Sequence, residues 1–370
     1  MTGSQAPYLL VASLQKADPM CALFFGHLAG RAALHIIQYG RDHIAGPLSG
    51  ASALVIIRGL FEFGNLAACA RRLGIPTYYF LDDNFMLIRE EVGTYGRLCE
   101  RYTHDAVRDA LSKYAGVLLA SEALVAYFRE QQLHQHLILY PPVQGPAVSP
   151  PPAGSRPFTI AFFGGGHRRL SFIQHVYPAV CRLAAAQPVR LVAVGVDCTA
   201  LPACEGVEVV TPAYDAAYDQ AIASVARRGI DVLVHPSNET ANNIFKNPHV
   251  LINARAIGAV PVFTNTAPYD AVAGAGIAAL CGNTADEWFG ALNRLAQAPP
   301  LRAAMLSALA TYCDVRFGGA HNLDVLDAIL QAHPQPAEPA RLRRRLTGAA
   351  CLGYGHLRSR LNRRWQRQVN

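Results

Sequence analysis

The chain has 370 residues, 51% of them hydrophobic, which is enough for about two domains with a sizeable core. The formal net charge is +7, but residues 341–370 alone hold nine Arg and no acidic residue. The rest of the chain has 24 basic and 26 acidic residues, a charge of −2. This balance excludes a generally basic nucleic-acid-binding protein and indicates a near-neutral body with a cationic tail.

Short β-rich apolar runs alternate with helix-length segments along most of the chain. The predicted strands are 8–14, 33–39, 53–59, 76–83, 116–121, 136–142, 158–165, 189–196, 207–212, 231–237, 260–265 and 276–282. The predicted helices include 95–114, 171–186, 214–228, 248–257, 285–297 and 301–317. Continuous apolar strands alternating with helices are typical of parallel sheets covered on both faces, so the fold class is α/β.

A proline-rich stretch, "PPVQGPAVSPPPAGSRP", interrupts this pattern, which then starts again. We therefore predict two Rossmann-like, doubly wound parallel-sheet domains that face each other across a cleft. The N-terminal domain covers 1–145 and the linker 146–157. The C-terminal domain covers 158–330 and the basic amphipathic tail 331–370.

Targeting and cysteine signals are few. No apolar run approaches the roughly 18–20 residues that span a bilayer, and the N-terminal stretch lacks the features of a secretory signal. The nine Cys are scattered, with no C-x-x-C pair. This pattern predicts reduced thiols in a cytoplasmic protein, without a disulfide framework or a zinc site.

A glycine-rich segment follows the first strand of the C-terminal domain. It contains Gly164, Gly165, Gly166, His167 and Arg168. Three consecutive glycines allow a ligand to approach the backbone closely, and the helix that follows would favour an anion at its N-terminus. The segment matches neither a P-loop nor G-x-G-x-x-G, and a plain tight turn explains it equally well.

A second polar segment, "HPSNETANNIFKNP", follows the strand 231–237 and contains Glu239, Asn242, Asn243 and Lys246. With Pro248 in the first turn of the next helix, Lys246 would lie beside the positive end of the helix dipole. A cation there is unfavourable unless an anion binds, and the asparagines could donate hydrogen bonds to the anion or to sugar hydroxyls. The alternative is a solvated loop with asparagine caps.

Two further loops follow strands. Asp82 and Asp83 end a strand of the N-terminal domain, where one carboxylate could act as a base or accept from a hydroxyl and the other could cap the next segment. "TNTAPYD", at 264–270, could contact a base or ribose, although a strand–helix turn is the simpler interpretation.

The cationic tail has apolar residues at four-residue spacing with Arg beside them, which predicts an amphipathic helix for an anionic membrane surface. The predicted membrane-binding residues are Arg343, Arg344, Arg345, Arg363, Arg364 and Trp365. A solvated or self-docked terminal helix and RNA binding are the alternatives.

Several of these stretches resemble bacterial GT-B glycosyltransferases of the family-4-like type (glycosyltransferase group 1) from surface-polysaccharide pathways. The similar stretches are "IAFFGGGHRRLSFIQHVYPAV", Asn243 with Lys246 and "GAVPVF", and, in the N-terminal half, "IPTYYFLDDNF" and "GVLLASEALVAYF". Their shared order covers most of residues 50–300. Asn253 stands where the family has a Glu that holds the donor's ribose.

The resemblance implies a hexosyltransferase-like enzyme that moves a sugar from a nucleotide-diphosphate sugar to a saccharide or lipid-linked acceptor. Lys246, Arg168 and the triple glycine would hold the diphosphate, with His167, Glu239, Asn242, Asn243 and Asn253 also facing the donor, and Asp82, Asp83 and Lys246 the catalytic candidates. The nucleotide sugar is the co-substrate, with no metal or other cofactor. Retention is favoured over inversion. The protein would be cytoplasmic and peripheral at the inner face of the cell membrane.

Two alternatives belong to other classes. One is a GT-B nucleotide-sugar epimerase, which would need carboxylates around the sugar, and Glu239 is the only obvious one. The other is a non-catalytic binding or scaffold protein that keeps the fold.

Overall fold

The computed structural model describes residues 6–15, 19–90, 99–147, 156–163, 168–195, 201–212, 217–237, 240–334 and 344. The chain divides into two compact units. The first unit consists of Met1–Val143 with Gly319–Asn370, and the second consists of Gln144–Gly318.

The first unit contains a six-stranded parallel sheet in the order β2-β1-β3-β4-β5-β6. Its strands are β1 (Leu9–Ser13), β2 (Leu34–Gln38), β3 (Ala53–Ile57), β4 (Thr77–Leu81), β5 (Gly116–Leu119) and β6 (Leu137–Leu139). Its helices within Met1–Val143 are α1 (Pro19–Phe24), α2 (Ala45–Gly50), α3 (Gly64–Arg72), α4 (Phe85–Ile88), α5 (His104–Leu111) and α6 (Glu122–Glu130), with a 3-10 turn at Gly26–Leu28. The inner strands are wholly buried and the edge strands β2 and β6 are partly exposed, as expected when helices cover both faces.

The second unit contains another six-stranded parallel sheet, in the order β12-β11-β10-β7-β8-β9. Its strands are β7 (Phe158–Phe163), β8 (Val189–Val194), β9 (Val207–Val210), β10 (Val232–His235), β11 (Val260–Thr264) and β12 (Ala279–Cys281). Its helices are α7 (Arg169–Ser171), α8 (Tyr177–Ala184), α9 (Tyr218–Ala226), α10 (Val250–Ile257), α11 (Ala285–Gln297) and α12 (Pro299–Phe317). A π-helical turn at Phe172–Val176 joins α7 to α8, and 3-10 turns lie at Asn243–Phe245 and Asp270–Val272.

The core of the second unit lies between the sheet and the helices α8 and α11. Trp288 on α11 is fully buried, and the rings of Phe162 and Phe172 lie 4.3 Å apart. All twelve predicted strands are present, each shorter than predicted at one or both ends. The α/β class with two doubly wound sheets is therefore confirmed.

The helix α13 (Ala320–Ala332) belongs to the first unit, although the sequence analysis placed 319–330 in the C-terminal domain. Asn322 on this helix donates from Nδ2 to the carbonyl oxygen of Pro141, at 2.8 Å. At its end, the Tyr78 hydroxyl and His333 Nε2 lie 3.0 Å apart. The helix follows α12 without a gap in the sequence pattern, so only these contacts reveal the change of unit.

In the arginine-rich part of the predicted tail, 341–370, the structure describes Arg344 alone. Its guanidinium donates to the carbonyl oxygens of Leu73 (2.7 Å), Gly74 (3.1 Å) and Ala51 (3.4 Å). Leu73 caps the C-terminus of α3, where a cation is electrostatically favourable. Partial burial lowers the pKa of Arg344. Arg344 is therefore bound to the protein itself, as in the alternative of a self-docked terminal helix. A membrane contact of Arg344, as predicted, would have to replace these three hydrogen bonds.

Cys181 on α8 and Cys204 ahead of β9 form a disulfide, with Cα atoms 5.8 Å apart. The prediction of reduced thiols is therefore wrong for this pair. The two residues are 23 apart in sequence and form no recognisable motif, so only the packing of α8 beside the approach to β9 brings them together. The other described cysteines are buried and belong to no disulfide among the described residues, namely Cys21, Cys69, Cys99, Cys281 and Cys313.

A reducing agent should lower the free energy of unfolding by about 2 kcal/mol, because this bond restricts the unfolded chain. Urea denaturation with and without dithiothreitol measures the effect. The double variant Cys181→Ser/Cys204→Ser should be insensitive to dithiothreitol. If it remains as sensitive as the wild type, the bond does not join these two residues.

Within the described residues, no helix is both long enough and apolar enough to cross a membrane.

Candidate functional site

The strand order of the second unit reverses direction between β7 and β10. From β7 the chain builds β8 and β9 on one side, and from β10 it builds β11 and β12 on the other. β7 and β10 are paired neighbours, with Phe162 opposite Val234. Ligands of open α/β sheets bind outside the carboxyl ends of the strands at such a reversal. The segments that follow β7 and β10 are the two that the sequence analysis selected for the donor.

Arg168 lies in the segment after β7, immediately before α7, and is partly buried. Its charge acts on the hydroxyl of Tyr269, which follows β11. Burial raises the pKa of Tyr269, and the Arg168 guanidinium opposes that rise. The Tyr269 ring stacks on Phe263 at 4.0 Å and packs against His235 at 5.4 Å. Arg168 therefore lies near the carboxyl ends of β10 and β11.

A ring of hydrogen bonds joins the ends of β10, β11 and β12. The Ser237 amide donates to Thr264 Oγ1 at 3.0 Å, and Thr264 Oγ1 donates to Asn283 Oδ1 at 2.9 Å. Asn283 Nδ2 completes the ring by donating to the Ser237 carbonyl oxygen at 2.8 Å. The segment 264–270 was suggested to contact a base or ribose. Thr264 and the buried Tyr269 instead make their contacts inside the protein.

This ring supports the turn that carries Lys246. The Asn243 side chain donates to Ser237 Oγ at 3.2 Å and accepts from Thr240 Oγ1 at 3.0 Å. The Lys246 amide donates to the Asn243 carbonyl oxygen at 3.1 Å, which fixes where the lysine leaves the turn. Asn242 and Asn243 are buried, and Lys246 is partly exposed.

Two consequences differ from the sequence analysis. The Asn243 amide, predicted to face the donor, is used to shape the turn. The helix α10 begins at Val250, so Pro248 precedes its first turn and Lys246 lies four residues ahead of it. Lys246 is therefore held by the 3-10 turn Asn243–Phe245, of which it is the C-cap.

Apolar side chains accompany the two cations. Leu170, two residues after Arg168, is 58% exposed, and Ile244, two residues before Lys246, is 57% exposed. Single exposed aliphatic side chains are normal on a protein surface, so these two matter only for their places beside the two cations. The two segments thus combine cationic and apolar groups, which suits a ligand with an anionic part and an apolar part.

Asn253 lies inside the protein, on α10, with 5% of its surface exposed. Its Oδ1 accepts a short hydrogen bond from the hydroxyl of Tyr218, the first residue of α9. Burial raises the pKa of Tyr218, so this hydroxyl keeps its proton and donates it. The amide oxygen of Asn253, which was predicted to contact ribose, is therefore used in a hydrogen bond that joins two helices.

The variant Tyr218→Phe should lower the free energy of unfolding by about 1–2 kcal/mol, because it leaves the buried Asn253 oxygen without this donor. Chemical denaturation measures the change. Tyr312→Phe is the matched control. Tyr312 lies on α12 and is partly exposed, and we expect a change within about 0.5 kcal/mol. Equal effects of the two substitutions would contradict the role of the buried bond.

In the first unit, Asp82 and Asp83 share one arginine. Arg58 donates from Nε and Nη2 to the two carboxylate oxygens of Asp82, at 2.6 and 2.5 Å, and from Nη2 to Asp83 at 3.2 Å. The exposed fractions of the side chains are 31% for Arg58, 5% for Asp82 and 17% for Asp83. The following helix is capped by Asn84, which accepts from the Leu87 amide, and not by either aspartate.

Arg58 is the residue that the sequence analysis missed. It follows β3 directly and has φ = +55°, a left-handed conformation that is uncommon for a residue with a side chain. The sequence did contain a signal for Arg58: it is a basic residue directly after an apolar strand, and two aspartates come directly after the next strand along the chain. Asp82, with both oxygens bound to Arg58, is poorly placed to collect a proton.

Several predicted residues lie outside the described part of the chain. These are Gly164, Gly165, Gly166, His167, Glu239, Arg343, Arg345, Arg363, Arg364 and Trp365. Within the described part, no three His, Cys, Asp or Glu side chains are grouped as metal ligands.

The sequence matches no protein-family model and no curated protein. Its fold is similar to that of Anabaena HepE in complex with UDP and glucose, with 13% identity, 88% of this chain and 100% of that chain covered, and a TM-score of 0.57. It is also similar to that of sucrose-phosphate synthase from Thermosynechococcus elongatus, with 13% identity, 88% of this chain and 99% of that chain covered, and a TM-score of 0.60. A third similar structure is WaaG, a glycosyltransferase involved in lipopolysaccharide biosynthesis, with 14% identity, 87% of this chain and 99% of that chain covered, and a TM-score of 0.50.

These likenesses confirm the predicted fold, which is the GT-B fold of glycosyltransferases. At 13–14% identity these likenesses establish the fold alone and not the activity.

Proposed function

We propose that the chain is a glycosyltransferase that takes a sugar from a nucleotide-diphosphate sugar. The observation that carries the proposal is the reversal of strand order between β7 and β10, because the segments after these two strands hold Arg168 and Lys246. A diphosphate at this point would meet both cations. The same fold binds UDP and glucose in HepE, which supports a donor of this class.

The proposed chemistry is electrostatic. As the bond between sugar and diphosphate breaks, negative charge grows on the leaving diphosphate. Cations and N–H donors that are already in place stabilise this charge more than they stabilise the bound donor, which lowers the barrier. The hydrogen-bonded ring of Ser237, Thr264 and Asn283 would keep the Lys246 turn in position without reorganisation.

In this scheme the protein supplies the positive charge, so transfer needs no metal ion or other cofactor. A front-face reaction with retention needs no protein base, which fits the ion pairing of Asp82 with Arg58. If the reaction inverts the anomeric carbon, Asp83 is the better base candidate of the two, since it is more exposed.

We further propose that the acceptor is a saccharide or a lipid-linked saccharide of a cell-surface polysaccharide. The similarity to WaaG and the cationic composition of 341–370 support this class of acceptor. The protein would work in the cytoplasm at an anionic membrane surface, where each Arg of the tail adds roughly 1 kcal/mol of attraction.

A thermal-shift screen against UDP-, GDP-, dTDP- and CMP-sugars tests the donor assignment. A donor present at about one hundred times its dissociation constant should stabilise the wild type by about 2.7 kcal/mol. Release of free sugar from the selected donor then tests for turnover. Stabilisation without turnover would favour the non-catalytic scaffold, and no stabilisation by any donor would refute the proposal.

Deletion of 341–370 tests the membrane assignment. We expect the shortened protein to stay in solution when it is sedimented with anionic vesicles, while its thermal shift with the donor is unchanged. Arg344→Ala is the control for the contact to α3, because it removes one charge and leaves the other eight arginines. Unchanged vesicle binding after the deletion would refute the membrane assignment.

A further inference from the structure

The disulfide of the second unit lies near the protein surface. Cys181 and Cys204 are both partly exposed, whereas the five other described cysteines that belong to no disulfide are buried. Cys204 belongs to the irregular segment 201–206 ahead of β9, which we call the strap. Its neighbours Ala203 and Glu205 are exposed. A small thiol in solution can therefore approach this bond without unfolding the core of the unit.

The strap runs along α8 and contacts it at three successive points. At the start of the helix, the Tyr177 hydroxyl donates to the Pro202 carbonyl oxygen at 2.6 Å. The disulfide lies about one helical turn further along. At the end of the helix, a Cβ on Gly206 would lie 2.9 Å from the Ala184 carbonyl oxygen. The strap and the helix thus advance side by side, and the disulfide joins them covalently.

The helix that the strap holds continues back to Arg168, which is assigned to the donor. Arg168 is the N-cap of α7, and α7, the π-helical turn Phe172–Val176 and α8 follow one another without a break. The backbone angles at the two joins are helical, with φ and ψ of −61° and −49° at Phe172 and of −62° and −41° at Tyr177. A π-helical turn inside a helix is frequent at functional sites. Arg168 and Cys181 therefore lie on one continuous helix.

The strap has other contacts that would remain if the disulfide opened. Leu201 and Val207 pack against the core of the second unit. The Gly206 carbonyl oxygen accepts from the Val189 amide at 3.3 Å, and β8 pairs with β9. Both redox states should therefore be folded. They should differ in how firmly the strap holds α8.

An accessible disulfide of this kind is typical of regulation. In the cytoplasm, where the proposed function places the protein, thiols are kept reduced, and the disulfides that do form are usually transient and redox-sensing. Exposed disulfides are also the ones that thiols reduce most readily. The position of the bond beside the helix of Arg168 indicates what it would regulate.

We propose that Cys181 and Cys204 form a reversible redox site that controls the affinity of the second unit for a nucleotide sugar. The identity of this ligand rests on the proposed function. With the bond closed, the strap holds the helix and Arg168 is in place for the diphosphate. With the bond open, binding has to order the helix again, and this ordering lowers the affinity.

The reductant is a cellular dithiol. One of its thiolates attacks a sulfur of the disulfide, the S–S bond breaks, and the other sulfur leaves as a thiolate that takes up a proton. The second thiol of the reductant then attacks the mixed disulfide and releases the remaining protein sulfur as a thiol. The protein gains two electrons and two protons, and the reductant ends as a disulfide.

The first measurement follows the bond without a ligand. The full chain is equilibrated, without urea, in mixtures of reduced and oxidised dithiothreitol, and its thiols are alkylated in the folded protein and located by peptide mass spectrometry. We expect Cys181 and Cys204 to open and close together as the mixture changes, while the buried cysteines stay unlabelled. Reduction that occurs only after urea is added would show a structural bond and overturn the proposal.

Cys198→Ser is the matched control, because Cys198 is close to the strap in sequence and lies outside the described residues. This variant should open and close its disulfide at the same dithiothreitol ratio as the wild type. Loss of the response would show that Cys198 forms the bond and would overturn the assignment to Cys181 and Cys204.

Amide hydrogen exchange reports on the helix without a ligand. The amides of α8 should exchange faster after reduction, and those of α13 in the first unit should not change. Equal exchange of α8 in the two redox states would show that the strap does not hold the helix, and would contradict the proposed route to Arg168.

The coupling between the two sites has a reciprocal signature. The probe is whichever of the UDP-, GDP-, dTDP- and CMP-sugars gives the largest thermal shift, and its affinity is measured by isothermal titration. We expect reduction to weaken its binding about fivefold, at the low end of the range for coupled sites. Saturating nucleotide sugar should raise, by the same factor, the ratio of reduced to oxidised dithiothreitol that opens half of the bonds. Cys181→Ser/Cys204→Ser should bind the probe as the reduced wild type does, in either buffer.

Two results would overturn the coupling. One is an equal affinity of the oxidised and reduced protein for the probe, and the other is a half-reduction ratio that the probe does not move. If no nucleotide sugar binds in either state, the transferase assignment and the coupling fail together. Opening and closing of the bond in the folded chain would then still establish the redox site itself.

Discussion

The Lys246→Ala variant is expected to release and transfer sugar from the nucleotide donor about two to three orders of magnitude more slowly than the wild type. One preorganised donor of positive charge at a developing anion is worth roughly 3–4 kcal/mol in the barrier. The effect should be large because the lysine's turn is fixed by the Lys246 amide bond to Asn243 and by the Asn243 side chain. Single-turnover rates at saturating donor measure the loss.

Lys113→Ala is the matched control for this result. Lys113 pairs with Asp109 on the exposed surface of the first unit, at 2.9 Å, and its removal should change the rate less than twofold. Arg168→Ala should resemble Lys246→Ala, since both cations are assigned to the same leaving group. If Lys246→Ala keeps wild-type turnover with a confirmed donor, the lysine does not contact the diphosphate.

Removal of Arg58 should have the largest effect on folding. Arg58→Ala should lower the free energy of unfolding by about 3–4 kcal/mol, because it leaves the carboxylate of Asp82, only 5% exposed, without its partner. Urea denaturation measures the change. Lys113→Ala, which removes an exposed pair with Asp109, is the control and should cost less than about 1 kcal/mol.

Arg58→Gly separates the backbone contribution from the ion pair. Glycine adopts φ = +55° without steric cost, so this variant should be about 1 kcal/mol more stable than Arg58→Ala. A loss below about 1 kcal/mol in Arg58→Ala would show that water replaces the guanidinium at Asp82 and that the ion pair contributes little.

The strands were predictable because each is a continuous apolar run, and in parallel sheets the inner strands are buried on both faces. The stretch 53–57, "ALVII", is such a run, and all five of its residues are buried in β3. The positions of the candidate loops in the sequence were predictable from the same pattern, since each loop lies after a strand. The hydrogen bonds within these loops were not predictable, because they depend on which strands become neighbours.

Asp82 and Asp83 illustrate that limit. Alternation along a strand would point them to opposite faces, but β4 ends at Leu81, so alternation no longer applies to them. Both carboxylates can then turn to the guanidinium of Arg58, which comes from the adjacent strand. Asn253 is similar: an amide in a largely apolar helix needs a partner, yet nothing near it in sequence indicates Tyr218, 35 residues away.

The crossings of the chain between units make the second unit an insertion within the first. Its two ends are adjacent, because the Gln144 amide donates to the Phe317 carbonyl oxygen at 2.9 Å. Where the first unit resumes, a Cβ on Gly319 would lie 2.8 Å from Val143 Cγ1, so the severed ends of that unit also touch. The second unit is therefore one uninterrupted stretch, 144–318, and we expect that polypeptide to unfold cooperatively in urea when it is expressed alone.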